Sequence, residues 1–576
     1  MSIRSPGSVL PLYLDAPDGG AAPLGALLGG IAGALALKRP CTGGRARNVR
    51  NLFGEPGEGE IYRGCADRAA THAMMERLAV HMMKVPWRFA QGPFNSCIPS
   101  GYTYLAQLAA HDLVSNVAPL PRPGDPASFF ARDFRAGRLI LDTIYGGGPL
   151  ATPQPYAVAG NYYRQRYALR LGYGPLSENS ADLANGPNTN RPARDIGRVA
   201  CPYLTDPAGP AAACALAAAP RTDALLADPR NDDHVIISQL SALFHEFHNI
   251  VYAKLLANDG GVTDDFTAYR RFLEARKVVT VVYRRVIVED LLRRLLEPGV
   301  YDRYKNASYP KDFLDGADDC RVPVEFSHAA YRFGHVMVRF SYTLNDKRKN
   351  GSSIETAAIE EILDRSSARR PTKLPLACTW LVDWSRFFDL GDEQSLNLSR
   401  RIAPDVGGGT LPGDSYFANE ENRQGGLFLR DLIRGTDAGI RTVDSLIAKL
   451  PAAERARSRL LNEPAYREGE IRRWLGQGTN QFSNDELDSL SRDPPLFFFV
   501  LFEAAQCQNG ERLGILASTI LAEVFFAAYK KTRSELEDDG PELQPAFGDS
   551  VPADMPALIK FMKSAGGLQN INCTAP

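Results

Sequence analysis

The stretch DPRNDDHVIISQLSALFHEFHN, residues 228–249, holds three of the chain's eight histidines. Its end, HEFH, has the look of a metal site. A zinc hydrolase helix needs HExxH, which sets two histidines one turn apart on one face with the glutamate between them. Here His245 and His248 are three apart, and no third ligand stands at a usual spacing. They read as helix histidines that hydrogen-bond to neighbours rather than as zinc ligands. The more informative residue is Arg230, in the DPRND turn where the helix begins. A guanidinium is always charged, and from that turn it can point into a cavity.

Outward from this segment, helical periodicity dominates. Residues 264–296 carry apolar side chains at helical spacing behind an N-cap candidate, Asp264. Residues 66–84 and 511–531 show the same pattern. Between 115 and 215 the chain is rich in glycine, proline and asparagine, as in PLPRPGDPASF and LANGPNTNRPARD. Long irregular stretches in an enzyme-sized chain often line a site. Strand-like alternation is scarce, and no repeat is visible. The expected fold is mainly α, with one large helical domain over 61–576, long irregular loops and little β structure. Residues 1–60 read as an arm wrapped on that body.

Composition excludes several classes. The 576 residues carry a net charge of −1, with 44% hydrophobic and 23% charged residues. That is a globular composition with material for a sizeable core. Near-neutrality argues against a nucleic-acid partner, which needs a basic face. The nine cysteines are irregularly spaced and contain no CxxC, so they read as reduced thiols. The N-terminal sequence lacks a signal-peptide layout. The apolar stretch 22–37 is shorter than the roughly 20 residues that span a bilayer. Cytoplasmic location without membrane association is therefore expected.

Two further segments bear on chemistry. One is IPSGYTYLAQLAAHDLVSNVA, 98–118, and the other is FSHAAYRFGHVMVRFSYTLN, 326–345. Together with the opening stretch they resemble the animal-type haem peroxidases of the peroxidase–cyclooxygenase superfamily, especially its bacterial members. GYTYLAQLAAHDL is similar to the family's distal-histidine helix. DPRNDDHVIISQL, with His-Asn beginning eighteen residues after the arginine, is similar to its catalytic-arginine helix. YRFGHVMV resembles the proximal-histidine helix, and LRDLIRG (429–435) resembles the later RNLLRG element. PPLFFFVLFEAAQ and LGILASTILAEV resemble the closing helices, so the likeness runs from about 95 to 530.

The resemblance implies roles. His335 would be the axial ligand of haem iron, held from one side so that the other stays open. Asp431 stands where the family has an asparagine and would bond the ligand's other ring nitrogen. Asn397, in SLNLSRR, is the competing candidate. His111 would be the distal base that carries a proton between the two peroxide oxygens. Arg230 would supply a fixed cation for the developing negative charge. Gln107, one turn before His111, would orient a distal water or halide. Arg332 and Arg434 would hold the haem edge and propionates, since a guanidinium fork suits a carboxylate.

Departures from the family pattern narrow the expectation. Mammalian members link haem through an aspartate just before the distal histidine and a glutamate three after the arginine. Here those positions are Ala110 and Asp233, and the next is His234. Haem b held without a covalent bond is expected, with one ester at Asp233 as the alternative. Calcium is a further expectation at Asp112, although Ile140 occupies a usual ligand position and Asp142 would have to compensate. The superfamily's fatty-acid oxygenases place a radical-forming tyrosine three residues before the proximal histidine. This chain has Arg332 there, and Tyr331, four before, is read as facing elsewhere. The expected activity is a peroxidase that uses hydrogen peroxide to oxidise small organic electron donors. A haem oxygenase or dioxygenase acting on a lipid or natural product is the first alternative, and a non-catalytic haem-binding module the second.

Overall fold

The structure, a computed structural model, describes residues 51–571 apart from 55, 66, 91, 115–136, 158–166, 173–193, 201–220, 259–263, 307–321, 370–372, 393–394, 406–424, 480–481, 537–542 and 549. The segment 22–37 and most of the loop-rich 115–215 stretch lie outside the described residues.

Side chains that accept orphaned backbone N–H groups set the helix starts. Asp67 accepts from Ala70 N and opens α1, Arg68–Lys84. The distal-motif helix α2 is Gly101–Leu113. The ring of His234 accepts from Ile237 N and opens α3, Val235–Ala257. Asp264 accepts from Thr267 N and opens α4, Asp265–Arg285, as its sequence position predicts. That helix runs on through a π-helical stretch, Val286–Leu292. Then come α5, Gly426–Asp437, α6, Leu496–Gln508, and α7, Ile515–Leu536.

The fold is mainly α, and the described strands form only two-stranded pairs. The pair that bears on the site is β1, Phe94–Pro99, antiparallel to β2, Leu398–Arg400. It delivers the chain directly into α2. Gly101 is required at that junction. A Cβ there would stand 2.5 Å from the Phe387 carbonyl oxygen and 2.6 Å from the Phe388 ring.

One hydrophobic cluster runs from Leu52 to Leu568. Leu52 lies inside the expected arm and is fully buried. In α6 every side chain of LFFFVLF, Leu496–Phe502, is buried. A helix apolar on all sides belongs in a core, where each such side chain contributes about 1.5–3 kcal/mol. α3 packs between α2 and α4, while α5 leans on Glu325–Ala329, just before the segment that carries His335, and α6 on that segment itself.

The histidines of HEFH are core residues. His245 Nδ1 bonds the Arg170 carbonyl. His248 Nε2 donates to the Tyr167 carbonyl at 3.2 Å, so Nδ1 accepts from the Tyr145 hydroxyl at 3.1 Å. Burial, offset in part by the Tyr167 bond, pushes His248 down from 6.5 to about 3. Between those values only the unfolded chain binds the proton. The group therefore removes stability as pH falls from about 6.5 toward 3, at roughly 1.4 kcal/mol per pH unit. His248→Gln is expected to be less stable at neutral pH but to lose about one proton of acid sensitivity. Chemical denaturation between pH 7 and 4 measures both, and an unchanged slope would contradict the assignment.

Cys378 is disulfide-bonded, whereas Cys65, Cys97 and Cys507 are free. This corrects the expectation of reduced thiols throughout. Pairing depends on approach in space, which irregular spacing along a chain does not reveal.

Candidate active site

The segment that carries His335 winds as a 3₁₀ helix, Ala330–Met337. This decides which neighbours share its face. On an α-helix Tyr331 would lie within about 40° of His335. At three residues per turn Arg332 eclipses His335 and Tyr331 is turned about 120° away. The expectation that Tyr331 faces elsewhere is met through this winding, not through its four-residue offset. The Tyr331 hydroxyl donates to the Ala106 carbonyl on α2 at 3.0 Å, and its ring stacks on Phe326 at 4.5 Å.

His335 Nδ1 lies 2.6 Å from Asp431 Oδ2, with Asp431 fully buried on α5. Arg332 Nη1 stands 3.7 Å from the other carboxylate oxygen. Burial alone would push Asp431 up. The His335 ring, with Arg332 and Arg434, outweighs burial and holds the carboxyl below its ordinary range. It therefore stays ionised beside the ring. Asn397 is engaged elsewhere: it accepts from Thr343 N and donates to the Thr343 and Arg386 carbonyls. Asp431, not Asn397, is the partner of His335.

Arg332, Arg430 and Arg434 gather around this one carboxylate. Burial, with Arg332 and Arg430 nearby, pushes Arg434 down to about 9. Neither Arg430 nor Arg434 makes a side-chain hydrogen bond among the described residues. The cluster has more positive charge than Asp431 can balance, so it suits an anion.

The second group of residues surrounds His111 on α2. Its Nδ1 lies 2.8 Å from Asn231 Oδ1, in the 3₁₀ turn Pro229–Asp232 that precedes α3. Because His234 Nδ1 accepts from Ile237 N, its Nε2 carries the proton and donates to Gln107 Oε1 at 3.0 Å. Burial, with Arg369 and His111 nearby, pushes His234 down to about 3, so it stays neutral. Gln107 is thus fixed by His234, two residues past the turn that holds Asn231. Sequence reading missed Asn231. Its position beside Arg230 in the turn was the available signal.

Arg230 sits where α2 ends. Nη2 donates to the His111 carbonyl and Nη1 to the Val114 carbonyl, both at 2.7 Å. Nε and Nη2 also bond Asp228. Four of its five N–H donors are spent on protein acceptors. Instead of aiming freely into a cavity, Arg230 is a paired cation that caps the helix carrying His111, favourably placed at the negative end of the helix dipole.

Asp233, next in the turn, makes no side-chain hydrogen bond among the described residues. Burial, partly offset by Arg369, pushes its carboxyl up to about 6. Asp112 is different. Its Oδ2 accepts from Ile140 N and Leu141 N, and its Oδ1 from Asp142 N, at 2.8–3.0 Å. The Asp142 carboxylate lies 3.5 Å from Arg276. A calcium ion needs several oxygens facing inward. Here N–H groups converge on Asp112, and they repel a cation. Among the described residues the set around Asp112 does not fit calcium, which counts against that expectation. EDTA is expected to leave the melting temperature unchanged, while Asp112→Ala should cost about 3 kcal/mol, since bonds to a charged group are worth roughly 1.5–3 each. A calcium-dependent melting temperature would contradict this account.

Residues 182–373 match the family model described as animal haem peroxidase. That segment is similar to the animal haem peroxidases. Peroxidase A from Dictyostelium discoideum shares its fold, with a TM-score of 0.51 and 13% identity over 92% of this chain and 96% of that chain. Human thyroid peroxidase is 30% identical over 149 residues, a match spanning 25% of this chain and 15% of that protein. The crystal structure of Oryza sativa fatty acid alpha-dioxygenase gives a TM-score of 0.42 and 13% identity, covering 88% of this chain and 83% of that chain.

The likeness to that family implies haem, and the described residues fit it. His335 is half-buried, with Nδ1 held by Asp431 and no bond to Nε2 among the described residues. A Cβ on the adjacent Gly334 would meet nothing within 4 Å. The unbalanced arginine cluster suits carboxylate side arms.

Proposed function

We propose that this protein is a peroxidase that reduces hydrogen peroxide to water while oxidising small organic donors one electron at a time. The observation that carries this reading is the shared face of Arg332 and His335 over Asp431. An arginine occupies the place where a tyrosyl-radical oxygenase needs its tyrosine. The adjacent Tyr331 donates its hydroxyl to a peptide carbonyl, a poor acceptor for the proton that a phenol loses on oxidation.

The residues divide the work. His335 would bind the iron through Nε2, with the ionised Asp431 pulling on the Nδ1 proton and making the ring a stronger donor. Arg332 and Arg434 would hold the propionates. Haem, when bound, supplies the two electrons that cleave the peroxide bond. His111 takes a proton from one peroxide oxygen and returns it to the other, which leaves as water. Arg230 keeps a positive charge beside the end of α2 and holds His111 in place. Gln107, oriented by His234, presents its amide to the same space. Asp233 is the one candidate for an ester, because Ala110 has no carboxyl. Its side chain is one methylene shorter than glutamate, so haem b held without a covalent link is our reading. No described helix is long and apolar enough to cross a membrane. The disulfide at Cys378 counts against a reducing compartment.

The test compares substrates on the purified holoprotein. Peroxide should drive oxidation of a phenolic donor to its coupled radical products, without oxygen uptake on a fatty acid. Oxygen consumption that depends on a fatty acid, with no turnover of phenols, would replace this reading by the oxygenase one.

A further inference from the structure

Peroxide cleavage needs a neutral imidazole whose lone pair is on the right nitrogen. A free imidazole exchanges between two tautomers, and for His111 one of them is wrong for the task. The surroundings of Asn231 decide between them.

Asn231 is fully buried. Its Nδ2 donates to the Thr143 carbonyl at 3.3 Å. A carbonyl can only accept, so the amide cannot be turned over without setting two oxygens against each other. Oδ1 is thereby aimed at His111 Nδ1, 2.8 Å away. An amide oxygen also only accepts, so Nδ1 must carry the proton, and Nε2 is the lone-pair nitrogen. Asn231 itself is held by its backbone, whose N–H donates to the Asp228 carbonyl. Asp228 also pairs with Arg230, which grips the His111 carbonyl. One short turn thus fixes both the end of α2 and the ring at that end.

We propose that Asn231 is a positioning residue that locks His111 in the Nδ1–H tautomer, so that Nε2 is the atom that takes the peroxide proton. The proposal rests on the peroxidase reading above. Among the described residues, the charged and titratable groups placed near the ring include the Arg230–Asp228 pair that grips the His111 carbonyl, Asp112 next in the chain, and the neutral His234. None of them supplies the acceptor that Asn231 presents to Nδ1.

The test uses the ¹⁵N-histidine-labelled holoprotein in its diamagnetic ferrous carbon monoxide form. Long-range ¹H–¹⁵N spectra read the tautomer of each ring, and the His111→Gln variant assigns the signal. His111 should be the Nδ1–H tautomer in the parent. Asn231→Leu should lose that exclusive state, keep its haem, and cleave peroxide about 10- to 1,000-fold more slowly, less than the roughly 10²- to 10⁴-fold that losing the whole acid–base transfer costs. Asn231→Asp keeps an acceptor but adds a negative charge that favours imidazolium. The acid limb of its rate–pH profile should move up by about one pH unit or more.

An Nε2–H ring in the parent would overturn the proposal, as would an Nδ1–H ring retained in Asn231→Leu. An unmoved acid limb in Asn231→Asp would do the same, and that variant decides the matter if Asn231→Leu does not fold. A parent holoprotein that ignores peroxide is a different failure: it removes the peroxidase reading, whereas the spectra still report whether Asn231 sets the tautomer.

Discussion

His335→Ala protein is expected to emerge from purification with little or no haem. Nε2 of His335 is the one bond the account gives between iron and the polypeptide. The arginine cluster that remains would hold only the carboxylate side arms. Added imidazole should restore binding, because it fills the space left by the ring and can still donate to Asp431. That rescue separates lost ligation from a damaged fold. Asp431→Asn, by contrast, should keep haem but raise the iron's reduction potential. The buried carboxylate is ionised and 2.6 Å from Nδ1, and an amide pulls less on that proton. An unchanged high-spin ferric spectrum in His335→Ala would contradict the assignment, and an unchanged potential in Asp431→Asn would contradict the role of the carboxylate.

His111→Ala should retain haem and slow the reaction with peroxide by about 10²- to 10⁴-fold, the usual worth of a positioned acid–base group. Stopped-flow absorption on mixing with peroxide measures it. Arg230→Ala is expected to be slow as well, but for two reasons that can be told apart. It removes a positive charge, and it frees the His111 and Val114 carbonyls at the end of α2. The second effect should appear as lower thermal stability, at about 1 kcal/mol or more. If both variants match the parental rate, His111 and Arg230 are not the distal pair.

Much of this site was legible because family-like motifs fix residue types at positions along the chain. His111, Gln107, Arg230, Arg332, His335 and Asp431 were all named from such positions, and the fold brings them into two clusters. The helix starts at Asp264 and in the DPRND turn were readable for a simpler reason. Caps and periodicity are local, and local sequence determines them.

What was not legible depends on partners far apart in the chain or on winding. His335 and Asp431 are 96 residues apart, and His111 and Asn231 are 120 apart. The first pair could be guessed from a motif. The second could not, because no pattern says which side of a turn an asparagine presents. The acceptors of Arg230 were hidden in the same way, since peptide carbonyls leave no mark in a sequence. Asp112 misled because a carboxylate has the same letter whether it binds a cation or three N–H groups. The backbone of residues 140–142, which includes Leu141 at a positive φ of 54°, decides which it is. Tyr331 was placed rightly on a wrong premise: only a 3₁₀ helix turns a residue four positions away off the ligand's face.

The central claim is that His335 and His111 frame a haem that reacts with peroxide. The absorption spectrum of the purified holoprotein, taken before and after one equivalent of hydrogen peroxide, tests it most directly. The account predicts a Soret band that shifts within the mixing time and returns when a phenolic donor is added. A protein that binds no haem, or whose Soret band is indifferent to peroxide, would contradict it.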